Sequence, residues 1–229
     1  MEEKIYTIPV NEAFDEKDGC PFCRLRRKLE DTERDLIMGA SMMEPDIRIK
    51  TNKMGFCKKH FDKMLTMNNR LSLALMLESH LALVEDNTVI WKDSIVLKDN
   101  TKKAHENMQK LHNSCYICEN AKEKFEKMLL CAVILWNNTD DFRAKLREQP
   151  YFCIEHADEF LEIAKYKLDK KSFAAFAKDL SKVQSDYISS LREDVSWFCK
   201  KFDYRYDSEP WGNAKDSPDR AVKFLQGDY

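Results

Sequence analysis

Glycine and proline are both scarce in this chain, five and six residues out of 229. So few breakers leave little room for a turn-dense fold, and the abundant Glu, Lys, Leu, Ala and Met favour helix. A charge excess of either sign is also lacking. Charged residues make up 34% of the chain, yet the formal net charge is −2. That balance argues against a general nucleic-acid binder, which carries a basic excess or stripe. Long apolar runs are missing too. The most apolar stretch, residues 71–84, is too short to span a bilayer and contains Glu78 and His80. The first residues form no apolar signal core, so a cytoplasmic protein with no membrane association is expected. Finally, there is no P-loop, nucleophile elbow or dinucleotide fingerprint.

What the chain does have is a repeated set of metal-binding side chains. Cys20-Pro21-Phe22-Cys23 is followed by Cys57-Lys58-Lys59-His60, and Cys115-Tyr116-Ile117-Cys118 by Cys153-Ile154-Glu155-His156. Each time a CxxC precedes a CxxH, across similar gaps at residues 24–56 and 119–152. Three thiols and one imidazole complete a closed tetrahedral zinc site. In a reducing compartment clustered cysteines read as metal ligands or redox centres before disulfides. The expectation is two Zn²⁺ per chain, one held by Cys20, Cys23, Cys57 and His60 and the other by Cys115, Cys118, Cys153 and His156. Helix N-termini at Cys23, Cys118 and the two CxxH motifs favour an anionic cluster, with Arg24 and Lys58 adding positive charge. In small zinc peptides such binding is worth about 10–16 kcal/mol, so each ion would act as a staple. A thioredoxin-like dithiol, an iron–sulfur cluster and disulfides are the competing readings. The matched histidines argue against all three.

Periodicity predicts an all-α protein of two related halves from an internal duplication, each stapled by its own Cys3His site. Helices are expected over residues 23–37, 57–67, 71–84, 118–137, 140–147 and 153–168, with one long helix or two over 173–202. The 71–84 segment, apolar nearly all round, reads as a buried central helix. Residues 4–10 alternate like a short extended arm, because Pro9 disfavours a central strand. Residues 38–55 read as a loop, and residues 88–113 as one or two helices with Val89, Ile90, Trp91, Ile95 and Val96 as the apolar part. The halves divide as 1–113 and 114–203. Residues 204–229 are an aromatic strap with Tyr204 and Trp211 buried, ending in a helix capped by Ser217 with Pro218 in its first turn. Cys131 and Cys199 read as core residues, His80 as a satisfied core histidine, and His105 and His112 as exposed.

Several segments together resemble a family of bacterial proteins known only as a domain of unknown function. They are residues 5–14 (IYTIPVNEAF), the Cys20–Cys23 motif, Met43-Glu44-Pro45-Asp46, Gly55-Phe56-Cys57 with His60, residues 70–77 (RLSLALML), Tyr204-Arg205-Tyr206 and Pro210-Trp211-Gly212. The resemblance spans nearly the whole chain and implies a bacterial cytoplasmic protein without supplying an activity. The leading functional reading is a structural-zinc scaffold or binding module for a protein partner or small ligand. The alternative is a metal-dependent enzyme or thiol redox sensor that uses one Cys3His site.

Overall fold

The computed structural model describes residues 3–88 and 97–229. Among these residues there are eleven α-helices and no strand. They are α1 (Glu3–Asp15), α2 (Pro21–Met38), α3 (Pro45–Met54), α4 (Lys58–Leu65), α5 (Arg70–Thr88), α6 (Leu97–Asn113), α7 (Tyr116–Asn138), α8 (Asp140–Arg147), α9 (Ile154–Lys167), α10 (Lys170–Lys200) and α11 (Ser217–Gln226). No described helix is long and apolar enough to cross a membrane. Two compact units form. One is Met1–Arg27 with Lys124–Tyr229, and the other is Lys28–Glu123. The chain therefore leaves the first unit and later returns to it, whereas the expected boundary lay between residues 113 and 114.

The terminal unit is built on phenylalanine. Phe14, Phe22, Phe142, Phe152, Phe160 and Phe176 are all essentially inaccessible. Their rings meet edge-on or tilted, with Phe22 and Phe160 centroids 4.7 Å apart and Phe22 and Phe152 5.6 Å apart. Edge-to-face packing of this kind adds about 0.5–1.5 kcal/mol per pair beyond burial. The expected extended arm is instead α1, with Pro9 inside it. Val10, Ala13 and Phe14 are buried at helical spacing, and that burial outweighs the hydrogen bond Pro9 cannot make. Helix α10 is a single helix, capped by Asp169, whose carboxylate accepts from the backbone N–H groups of Lys171 and Ser172. Helices α8, α9 and α11 pack against it.

The inner unit collects Ile37, Met38, Met42, Met64, Leu73, Met76, Tyr116 and Ile117 into its core. Residues 38–55 are not a loop. They hold a short 3-10 turn at Ala40–Met43 and then α3, which Pro45 opens in its first turn. Helix α5 is not buried all round. Leu73 and Met76 are core residues, but Leu71 and Leu81 are 69% and 60% exposed. A run of apolar side chains sets no face by itself, and here one side of the helix packs while the other does not. The apolar residues expected to anchor the segment before α6, namely Val89, Ile90, Trp91, Ile95 and Val96, lie outside the described residues.

The C-terminal segment is part of the terminal unit, though by different contacts than expected. Tyr204 is exposed, and Trp211 is only half-buried against Phe198 and Phe202. The anchors are Ala214, Ser217 and Phe224, with Phe224 against the stacked rings of Tyr151 and Tyr187. Asp216 occupies the N-cap position of α11 and Ser217 is its first helical residue. Lys201 is buried and donates to the carbonyl oxygens of Tyr206, Asp207 and Glu209, which wraps the turn around its ammonium. Cys131 is a core residue beside Thr7, whereas Cys199 is exposed.

Candidate metal centres

All eight expected ligands are gathered into two groups, but the partners are exchanged. Cys20 and Cys23 meet Cys153 and His156, while Cys57 and His60 meet Cys115 and Cys118. In each group the donor atoms lie within 4.8 Å of one another. Neither half of the sequence staples itself. The first CxxC meets the last CxxH in the terminal unit, and the two motifs between them meet in the inner unit. The two CxxH motifs offer the same donors, so spacing alone does not rank one CxxC partner over the other. Helix packing makes the choice.

Every ligand pair sits at a helix start. Cys57 and Cys153 are the N-cap residues of α4 and α9, in extended backbone. Their carbonyl oxygens accept the first helical bonds, from Phe61 at 3.0 Å and Ala157 at 2.8 Å. Cys20 and Cys115 directly precede α2 and α7. The second ligand of each pair follows three residues later, in the first turn and on the same side. Two helix N-termini thus meet at each group, and their partial positive charge favours clustered thiolates. Arg24 and Lys58, expected to add positive charge, both have carboxylate partners. Arg24 pairs with Glu16 and Asp18, and Lys58 with Asp62.

The distances suit a tetrahedral ion. With Zn–S near 2.3 Å and Zn–N near 2.0–2.1 Å, tetrahedral edges are about 3.8 Å between sulfurs and about 3.5 Å between sulfur and nitrogen. In the outer group the Sγ atoms of Cys20, Cys23 and Cys153 lie 3.7, 3.4 and 3.2 Å from His156 Nδ1, and Cys23 Sγ lies 3.5 Å from Cys153 Sγ. In the inner group Cys57, Cys115 and Cys118 lie 3.2, 3.3 and 3.5 Å from His60 Nδ1, and Cys57 Sγ is 3.8 Å from Cys118 Sγ. All eight cysteines are free thiols.

Without a cation the two groups distribute their protons unevenly. Hydrogen bonds from Cys153 and Cys20 hold Cys23 far below the usual thiol range, while burial pushes Cys20 well above it. Contact with the Cys118 thiol lowers Cys115 to about 3, and the same contact raises Cys118. Cys23 and Cys115 are the two thiols whose surroundings favour the thiolate. Binding a divalent ion to three thiolates must expel the remaining thiol protons.

The surroundings of the two groups differ. The outer group is buried entirely. Phe22, Phe125 and Tyr229 lie around the His156 ring, with centroids 6.2, 5.0 and 5.3 Å away. The Asp228 backbone N–H donates to Cys23 Sγ at 3.3 Å. Arg26 lies 4.2 Å above the Tyr229 ring and pairs with Glu155, which also accepts from the Tyr229 hydroxyl. Gln184 on α10 grips the backbone of Phe152 from both sides, donating to its oxygen at 2.9 Å and accepting from its N–H at 3.0 Å. That clamp sets the residue just before Cys153.

In the inner group Cys115 and His60 are buried, Cys57 is half-buried and Cys118 lies at the surface. His60 turns Nε2 toward Glu30 Oε2, 3.3 Å away, and Glu30 is itself 2% exposed. Lys59 also pairs with this carboxylate at 2.8 Å. Burial works against charge on both groups. The contacts of His60 with Cys115 and Glu30 still lift it to about 9, and those of Glu30 with His60 and Lys59 still lower it to about 2. A buried carboxylate behind a ligating imidazole is the arrangement that orients metal-binding histidines.

The turn before Cys57 is held by Gly55, at φ +61°, where a Cβ would lie 2.8 Å from His80 Nε2. His80 is fixed by its contact with the Asn52 carbonyl at 2.7 Å, so it is a satisfied histidine with a packing role. The Gly55 oxygen accepts from Tyr116 N–H, and the Met54 oxygen from Ser114 Oγ, which tie the two ligand-bearing turns together. Glu30, Gln184 and Tyr229 carry no motif, and Gly55 stood only in the segment that carries the family resemblance. Their roles depend on partners distant in the chain, and only the cysteine and histidine spacing was visible beforehand.

No curated protein and no solved structure matches the chain. Over residues 1–229 the chain belongs to the family of unknown function DUF6062.

Proposed function

We propose that this protein binds two zinc ions, one in each Cys3His group, and that both are structural. The observation carrying this reading is that each group supplies four protein donors at tetrahedral spacing. Four protein donors fill a structural site, whereas a catalytic zinc keeps a position for water. The donor set of three thiolates and one imidazole favours zinc over the harder divalent ions. Each ion would join two helix N-termini that are remote in sequence, so the bound metal would act as a cross-link within its unit. The biochemical role that follows is a rigid helical scaffold or binding module. The test is elemental analysis of protein purified under reducing conditions, with X-ray absorption at the zinc edge. Two zinc ions per chain, each with three sulfur neighbours and one nitrogen, are expected. One ion or none, or an oxygen neighbour at either site, would refute the structural assignment.

A second reading, a thiol-based sensor at the inner site, is favoured by one observation: Cys118 lies at the surface while all four outer ligands are buried. Reactivity of a zinc thiolate follows access. Stoichiometric peroxide separates the two. Retention of both ions supports the scaffold, and rapid loss of one ion that thiol restores supports the sensor.

A further inference from the structure

Remote from the cysteines, the terminal unit carries a cleft of roughly 580 Å³ between the end of α7, helix α8 and the start of α10. Its lining includes Arg143, Arg147, Lys171 and Lys178, with Asp179 as the one carboxylate. Arg143 pairs with Asp140 and Arg147 with Asp179, so the surplus positive charge of the cleft rests on Lys171 and Lys178. We propose that this cleft binds the phosphate group of a small molecule.

Three features support that choice. First, the guanidinium of Arg147 is positioned. Its Nε lies 3.0 Å from Asp179 Oδ1, and the other oxygen of that carboxylate accepts from Trp136 Nε1 at 3.2 Å. Asp179 is only 16% exposed at its side chain. The carboxylate occupies the Nε edge, which leaves the two terminal nitrogens as a fork suited to two oxygens of one oxyanion. Second, Lys171 and Lys178 have no carboxylate within ion-pair distance among the described residues. Two unneutralised ammonium groups beside one guanidinium favour a dianion. Third, the cleft lacks an aromatic face. Trp136 is 3% exposed, and Arg143 lies over its ring at 5.1 Å while donating to the Trp136 and Asn137 carbonyls. No ring is left to stack a base, so the recognition is of the phosphate and not of a nucleobase. The volume falls within the range of small-molecule sites and exceeds what inorganic phosphate fills, which leaves space for the group that carries it.

The test is calorimetric titration of the full-length, metal-loaded protein with inorganic phosphate, phenyl phosphate and a single-stranded oligonucleotide at low ionic strength. Saturable one-to-one binding of both phosphates is expected, with phenyl phosphate at least as tight. The double variant K171A/K178A should weaken it by about tenfold or more. R147K keeps the charge and loses the fork, and should weaken it too. Asp179→Asn is the decisive variant. Removing a negative charge tightens binding if the cleft is only a diffuse positive field, and weakens it if Asp179 aims Arg147. Melting temperature and metal content report on the fold of each variant, and R147K serves if Asp179→Asn does not fold. Tighter binding by Asp179→Asn, unchanged affinity in K171A/K178A, or no saturable phosphate binding would overturn the proposal. Oligonucleotide binding without phosphate binding would also overturn it, in favour of a backbone-tracking groove.

Discussion

Glu30 Oε2 faces His60 Nε2 at 3.3 Å, on the side of the imidazole ring opposite Nδ1 and its three sulfur neighbours. If the inner group holds an ion, a carboxylate in this position would orient the ring and leave Nδ1 for the metal. Glu30→Gln should therefore lower the zinc affinity of the inner site about 10- to 100-fold, the usual scale for such partners. The outer site should be unaffected. Chelator competition that resolves the two ions checks this. Equal loss at both sites, or none at either, contradicts the positioning role.

The exchanged partners make a prediction about metal counts. Cys20→Ser combined with Cys153→Ser damages one group only, and such a protein should retain one zinc. Cys20→Ser combined with Cys57→Ser damages both, and should retain none. The pairing expected from sequence order reverses these results, so elemental analysis of two double variants decides between them.

That the eight cysteine and histidine side chains would cluster was legible because their chemistry and spacing are local. CxxC and CxxH place two donors on one side of a helix start whatever the rest of the chain does. Most helices were legible for the same reason, and α8 was read to the residue. Partner choice was not legible, because Cys57 with His60 and Cys153 with His156 are chemically equivalent. It depends on which helices pack together, and that is decided by contacts such as Gln184 with Phe152, 32 residues apart. Pro9 disfavours a strand, but in the first segment it sits inside a helix whose burial of Val10, Ala13 and Phe14 outweighs the missing N–H.

Gly55 should be intolerant of a side chain. Gly55→Ala places a Cβ both in left-handed backbone and against His80. The backbone part alone costs about 1–3 kcal/mol. His80→Ala should recover the steric part, so the double variant should be more stable than the sum of the single effects implies. Strict additivity in denaturant melts would show that the close approach of His80 carries no weight.

The C-terminal segment offers a contrast between two aromatic residues. Phe224 is 5% exposed and packs on Tyr151 and Tyr187, so Phe224→Ala should cost about 3–5 kcal/mol. Tyr204 is 88% exposed, and Tyr204→Ala should change stability by no more than about 0.5 kcal/mol. Thermal melts of the two variants give the comparison directly. Similar losses would mean that Tyr204 is held by contacts other than those described.

Acid should release both ions, because thiolates and imidazole bind metal only when deprotonated. Lowering the pH of metal-loaded protein should therefore lower its stability. The inner ion should leave first, since protons and competing ligands reach Cys118 directly. A zinc-sensitive dye followed through a pH titration should show two steps, and Cys118→Ser should remove the earlier one. A single unchanged step in that variant would contradict the assignment.

The nested order of the ligands bears on how the chain is made. During synthesis, Cys20, Cys23, Cys57 and His60 emerge before any of the remaining four ligands. A nascent chain that has passed residue 60 thus holds a chemically complete donor set, and it is the wrong one. The correct partner of the first CxxC arrives only with Cys153 and His156, after the inner set is complete. Zinc that meets the chain early can lock a non-native cross-link, which must then open by ligand exchange. Zinc that meets a chain already collapsed around its phenylalanine and methionine cores finds only native quartets. Refolding yield should therefore depend on when the metal is added, with late addition giving more correctly bridged protein than zinc present from the start.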